Sequence, residues 1–303
     1  MTDNDLALGE SSGENKVLSF FPSAFILAAL PLRDVKRSNF RRSYNGCELI
    51  ISNTSKVPFG SYGRNILSVL TTHAVLHGGS GGLNVSYSSV SDLCSELGVP
   101  RQRSQKVIEQ ISCFSDATFV FKSLRSERVS GGVGEDGFSA VRRNMFATGM
   151  IPFCDAVIWD EYEDEKGKKR AKSFCVRLSA QFVSYAKEHC VPIDFSVYTQ
   201  IQSPVCKDLY VWCCYRANII REDKLLYISR KNMVGQFMPV KDGDLKAESD
   251  NWSVIMSHLR EIRDKWYPGL KVEFCSDNGG IYFYNSPLVI EDNDKRYMLP
   301  TSL

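Results

Sequence analysis

The stretch from Ser249 to Tyr284, SDNWSVIMSHLREIRDKWYPGLKVEFCSDNGGIYFY, limits the fold more than any other part of the chain. Trp252, Ile255, Met256, Leu259, Ile262 and Trp266 recur at three-and-four spacing, which predicts a helix over 251–267 with that side in a core. The opposite side carries Ser253, Val254, Ser257, Arg260, Glu261 and Asp264. Its short polar side chains let the backbone come close to another surface. A hairpin follows at once, KVEFC and GIYFY about Asp277, Asn278, Gly279 and Gly280, residue types with the backbone freedom a tight reversal needs. Upstream, SPVCKDLYVWCCYRANI reads as a long apolar helix and ISRKNMVGQF as a short one capped by Ser229. Three helices and then a hairpin make a winged helix, with helix 251–267 as its recognition helix and Asp277 to Gly280 as the tip of its wing.

The same logic applies to the first half. Asn65 to His77 has helical spacing, and SSVSDLCSELGVPRQRSQKVIEQISCF gives a helix over Val90 to Leu97, a turn at Gly98, Val99 and Pro100, and a second helix from Arg101. Two short helices joined by a glycine-containing turn form a helix-turn-helix pattern. Arg101, Gln102, Arg103, Gln105 and Lys106 place long donors where phosphates or base edges would be met. Phe146 to Trp159 and Ser173 to Leu178 read as two strands, which makes this unit a winged helix as well; Leu124 to Arg143, rich in glycine, reads as a mobile loop.

At 303 residues the length favours about two domains. With 37 basic and 35 acidic residues the net charge is +2, so any nucleic-acid function rests on local patterning rather than on total charge. The half from Val191 on is near neutral, with 14 basic and 15 acidic residues. A basic stretch with Arg33, Lys36, Arg37, Arg41 and Arg42 is either a solvated arm or a phosphate contact. Ten cysteines lack a C-x-x-C spacing and sit mostly in apolar runs, which implies reduced thiols in a cytoplasmic protein and neither a disulfide framework nor a zinc cluster. Phe20 to Leu32 is too short to span a bilayer and lacks a positive leader, so no membrane association is expected.

Catalytic patterns fail one by one. His73 and His77 share a helix face, but no third metal ligand is evident from the spacing. A His-hydrophobe-His motif, which DNA nicking would need, does not occur. Gly132, Gly134 and Gly137 match G-x-G-x-x-G without a preceding strand, and Glu135 and Asp136 would repel phosphate. GGSGG lacks the lysine of a P-loop. The expectation is a protein that is not an enzyme, with no cofactor and no catalytic or metal-binding residue.

Beyond these patterns the chain resembles the plasmid-encoded RepA replication initiators. The resemblance is carried by VPFGSYGRNILSVLTTHAV, SDLCSELGV, VRLSAQFVSYAKEHCVPID, LYVWCCYR, and the run from ISRKNMVGQF through YPGLKVEFCSDNGGIYFYNSP, in the same order over roughly residues 25–290. Pro58, Phe59, Gly60 and Arg64 match one motif of that family, and Leu209, Tyr210, Trp212, Tyr215 and Arg216 another. The chain departs at Gly63, where the family usually has proline, and at 124–143, which replaces a more compact stretch. The resemblance implies an initiator that binds repeated double-stranded DNA sites at a plasmid origin and opens them for host replication proteins such as a helicase or initiator, with a homodimer among its states.

The expected fold is therefore α+β, two winged-helix domains in tandem with a flexible N-terminal arm. Residues 1–22 are assigned to a disordered arm and 23–190 to a first winged helix serving dimerisation and auxiliary DNA contact. Residues 191–290 form a second winged helix that reads the DNA, and 291–303 a C-terminal tail. Asn251, Ser253, Ser257 and Arg260 are expected in the major groove and Asn278 on the wing. Arg230, Lys231 and Lys246 are expected on phosphate, and Arg101, Arg103, Gln105 and Lys106 on the second half of a site. Arg216 is expected to pair with Asp208 or a neighbouring carbonyl. Competing functions are a transcriptional repressor, of its own gene among others, and a winged-helix protein-interaction module.

Overall fold

Apolar segments that local periodicity leaves unassigned turn out to be strands paired over long distances. In the computed structural model, residues 16–44, 47–128, 141–147, 150–163, 169–220, 225–241, 243–275 and 279–290 are described. The first element is β1 (Leu18–Pro22), followed directly by the short α1 (Ser23–Leu27). The hairpin β2 (Asn39–Tyr44) and β3 (Cys47–Ser52) precedes the long α2 (Gly60–His77). Next come β4 (Leu83–Tyr87) and α3 (Val90–Glu96), whose Ser89 cap accepts the Asp92 N–H. A 3-10 turn over Arg101–Arg103 leads into α4 (Ser104–Ser115). Three strands follow, β5 (Thr118–Arg128), β6 (Val141–Ala147) and β7 (Ile151–Pro152). The hairpin β8 (Cys154–Glu163) and β9 (Lys169–Leu178) leads to α5 (Ala180–Glu188), β10 (Cys190–Asp194) and α6 (Phe195–Gln200). The last part holds α7 (Pro204–Ile219), β11 (Leu225–Ser229), α8 (Arg230–Phe237), α9 (Leu245–Glu261), β12 (Val272–Phe274) and β13 (Gly280–Tyr284).

The strands form four small antiparallel sheets: β1–β10, β2–β3–β5–β6 with β7 on β5, β4–β9–β8, and β11–β13–β12. One order of elements occurs twice. In the first half α2, β4, α3, α4, β8 and β9 run helix, strand, helix, helix, strand, strand, and the last strand lies between the other two. In the second half α7, β11, α8, α9, β12 and β13 repeat both the order and the strand arrangement. Strands β5, β6 and β7 are inserted between α4 and β8 in the first copy alone.

The apolar stripe of α9 is buried at every expected position, Trp252, Ile255, Met256, Leu259, Ile262 and Trp266. Each large side chain contributes about 1.5–3 kcal/mol by leaving water. The helix begins earlier than the stripe suggests, at Leu245, because the Asp244 carboxylate caps it by accepting the Ala247 N–H at 3.0 Å. Its final turn, Ile262–Trp266, widens into π geometry.

The expected arm to residue 22 is corrected. Leu18–Pro22 pair with Cys190–Asp194, Leu18 and Phe21 are buried, and the Ser19 hydroxyl meets Ser68 at 2.8 Å and Thr72 at 2.7 Å. Residues 1–15 and 291–303 lie outside the described residues. So does most of the glycine-rich loop, whose flanks are the strands β5 and β6.

One hydrophobic cluster extends from Phe21 to Phe283 and takes side chains from both copies of the repeated order. At its centre Arg64 of α2 is fully buried against Asp208 of α7. Its Nε donates to Oδ1 at 2.7 Å and Nη2 to Oδ2 at 2.6 Å, while the carbonyls of Leu30, Pro31 and Gly60 take the remaining donors. Such complete satisfaction is what a buried guanidinium requires. The partner expected for Arg216 therefore belongs to Arg64. Arg216 lies over the rings of Trp212 at 5.1 Å and Tyr215 at 5.6 Å, and burial pulls its pKa below the ordinary value.

Candidate nucleic-acid interface

Each copy of the repeated order presents the outer side of its third helix. In the second copy Lys246, Ser253, Ser257 and Arg260 are exposed along one side of α9. Asp250 and Asp264 lie on the same side, and Val254 is exposed beside it. The Ser253 hydroxyl donates to the Ser249 carbonyl at 3.0 Å, a contact a surface serine gives up at little cost. Lys231 is exposed on the first turn of α8.

Asn251 is placed differently from its expected role. It is half-buried, and its Nδ2 donates to the Met238 carbonyl at 2.8 Å, which ties α9 to the end of α8. This amide closes the helix-to-helix connection. Arg230 is also turned inward. Its Nε lies 3.2 Å from Glu248 Oε1, an ion pair too poorly aligned to count as a hydrogen bond. Asn278 lies outside the described residues.

Arg260 takes no carboxylate among the described residues and sits 5.2 Å from the ring of Phe274 on β12. Arg263, which sequence patterning passed over, flanks the same ring at 5.1 Å and bonds Asp264 at 2.7 Å. That contact and the nearby Arg260 hold the Asp264 carboxyl below its usual range. Two arginines on one aromatic ring fix the end of α9 against the hairpin. The signal was available in part: Arg260 and Arg263 are three apart, but nothing local revealed that β12 would deliver Phe274 between them.

In the first copy Arg101, Arg103, Gln105 and Lys106 are all exposed, and none has an ion pair or side-chain hydrogen bond among the described residues. They cluster at the start of α4, where free N–H groups and the helix dipole add to the positive potential. The basic stretch before β2 divides. Arg41 pairs with Glu48 across the hairpin, and Arg42 turns inward, where burial pushes its pKa down to about 10. Arg33, Lys36 and Arg37 remain exposed. Of the candidate metal pair, His73 bonds Glu96 at 2.8 Å.

No family model matches the sequence, and no curated protein is similar to it. Among solved structures, the chain is similar to domains 2 and 3 of RctB. A selenomethionine crystal structure of those domains is 12% identical with a TM-score of 0.49, covering 89% of this chain and 99% of that one. Another crystal structure of the same domains is 11% identical with a TM-score of 0.44, covering 86% and 95%. A likeness at this level assigns no function. No helix among the described residues is long and apolar enough to cross a membrane.

Proposed function

We propose that the chain is a replication initiator that binds specific double-stranded DNA through two winged helices, similar in organisation to the plasmid RepA initiators. The observation that carries the reading is the repeated element order whose third helix, in both copies, turns a face of exposed donors to solvent. In this reading α9 enters a major groove with Ser253, Ser257 and Arg260. Lys231 and Lys246 meet phosphates, and Arg101, Arg103, Gln105 and Lys106 at the start of α4 serve the adjoining half of the site. Repeated origin sites, host replication proteins and a homodimer belong to the same proposal, as does the absence of catalysis.

Footprinting on the DNA flanking the gene, followed by affinity against salt, tests it. Arg101, Arg103, Lys106, Lys231 and Lys246 are the exposed cations assigned to phosphate. At a log-log slope of about 0.9 per neutralised phosphate they predict a slope near −5. A flat salt response, or failure to protect any duplex at low salt, would overturn DNA binding in favour of a protein-interaction role. An origin-opening assay beside a promoter assay separates initiator from repressor.

A further inference from the structure

A cluster at the foot of α7 has the composition and geometry of a metal centre. Cys206 lies in the first turn of α7, and His258 and Glu261 lie one helical turn apart near the end of α9. Their ligand atoms fall within 4.8 Å of one another. Glu261 Oε2 is 3.4 Å from His258 Nδ1 and 4.0 Å from Cys206 Sγ. Tetrahedral zinc, with bonds of about 2.3 Å to sulfur and about 2.0–2.2 Å to nitrogen and oxygen, would hold such atoms about 3.3–3.7 Å apart. The Sγ–Oε2 separation therefore lies within about half an ångström of its length in a zinc-bound set.

The surroundings aim these atoms at one point. Ser203 Oγ contacts His258 Nε2 at 3.1 Å and so fixes the ring with Nδ1 toward Glu261. Trp266 Nε1 donates to Glu261 Oε1 at 3.0 Å and leaves Oε2 for the cluster. Outer partners that set the orientation of a histidine and a carboxylate are what metal ligands characteristically have. Cys206 is buried whereas Glu261 is exposed, so an ion would rest on a protein wall with its fourth position open to water.

We propose that Cys206, His258 and Glu261 bind one divalent cation of the zinc class, with water as fourth ligand. On binding, the thiol proton passes to solvent as the sulfur–metal bond forms. The ion would join the first turn of α7 to the last turns of α9. The inference stands on this geometry alone and is independent of DNA binding.

The test uses the full chain, freed of its affinity tag and stripped with a chelator, then titrated with Co2+ and displaced by Zn2+. One equivalent of Co2+ per chain is expected, with a thiolate-to-cobalt charge-transfer band that Zn2+ abolishes. Cys206→Ser should eliminate the band, whereas Cys47→Ser in β3 should keep it. His258→Gln and Glu261→Gln should each weaken Zn2+ binding at least tenfold, and Trp266→Phe by about tenfold. Circular dichroism confirms that each variant is folded, and Glu261→Gln, at an exposed position, supplies a readout should Cys206→Ser not fold. Absence of stoichiometric binding, a band that survives Cys206→Ser, or Zn2+ affinity unchanged in Glu261→Gln would overturn the site.

Discussion

The guanidinium of Arg260 is drawn both to the ring of Phe274 and to whatever surface meets α9. Stacking of this exposed guanidinium on the half-buried ring contributes about 0.5–1 kcal/mol, so Arg260→Ala should lower stability by no more than that. If Arg260 reads a base, specific binding should weaken by about 1–3 kcal/mol and one position of the site should tolerate other bases. Uniform weakening with a salt slope smaller by about one would mean a phosphate contact. Parent affinity and specificity in this variant would remove α9 as the reading helix. Arg64 makes the contrasting case. Removing it by Arg64→Met leaves the Asp208 carboxylate buried without its guanidinium and the Leu30 carbonyl without that donor, which should cost about 3–5 kcal/mol in a urea titration. Replacing both partners, Arg64→Met with Asp208→Leu, should recover part of that loss because no charge is then left unpaired.

Among the elements, the turn between α3 and α4 shows how far sequence can carry a prediction. Gly98 marks that turn in the sequence, and in the fold it adopts φ +62°. Its neighbour was not foreseeable: a Cβ at this position would lie 2.6 Å from Cγ2 of Thr199 on α6. Gly98→Ala should therefore cost about 1–2 kcal/mol for the left-handed backbone, and more for the overlap. Adding Thr199→Ala should recover only part of the overlap, because the Thr199 Cβ itself would lie 2.7 Å from the new methyl, and thermal melts of the single and double variants measure that part. The core stripe of α9 was legible because 3.6-residue periodicity is a local property, and the cap at Ser229 was legible for the same reason. Strand β1 was not, since its partner β10 is more than 160 residues away and its polar middle, Ser19, is satisfied by hydroxyls of α2. The bond of Asn251 was not legible, because a polar residue at a helix edge looks the same in sequence whether it faces solvent or the Met238 carbonyl. Cys206 escaped for a related reason, being 52 residues from His258.

At the scale of the molecule, the two copies of the repeated order are coupled rather than merely adjacent. Arg64 of the first is bonded to Asp208 of the second, and one apolar cluster crosses between them. On the flank, Tyr44 of β2 lies so close to α8 that a Cβ on Gly235 would meet its ring at 2.9 Å. Free energy stored across such a boundary forces the two copies to melt together unless the coupling is smaller than the difference in their own stabilities. Calorimetry of the parent chain should thus show one transition whose calorimetric and van't Hoff enthalpies agree. Arg64→Met, which cuts the central ion pair, should lower and broaden that transition or split it in two, and Gly235→Leu, which pushes Tyr44 from α8, should act in the same direction. Two separate transitions in the parent chain would show instead that the copies are independent domains tethered in contact, and that Arg64 and Asp208 stabilise their meeting without making them one cooperative unit.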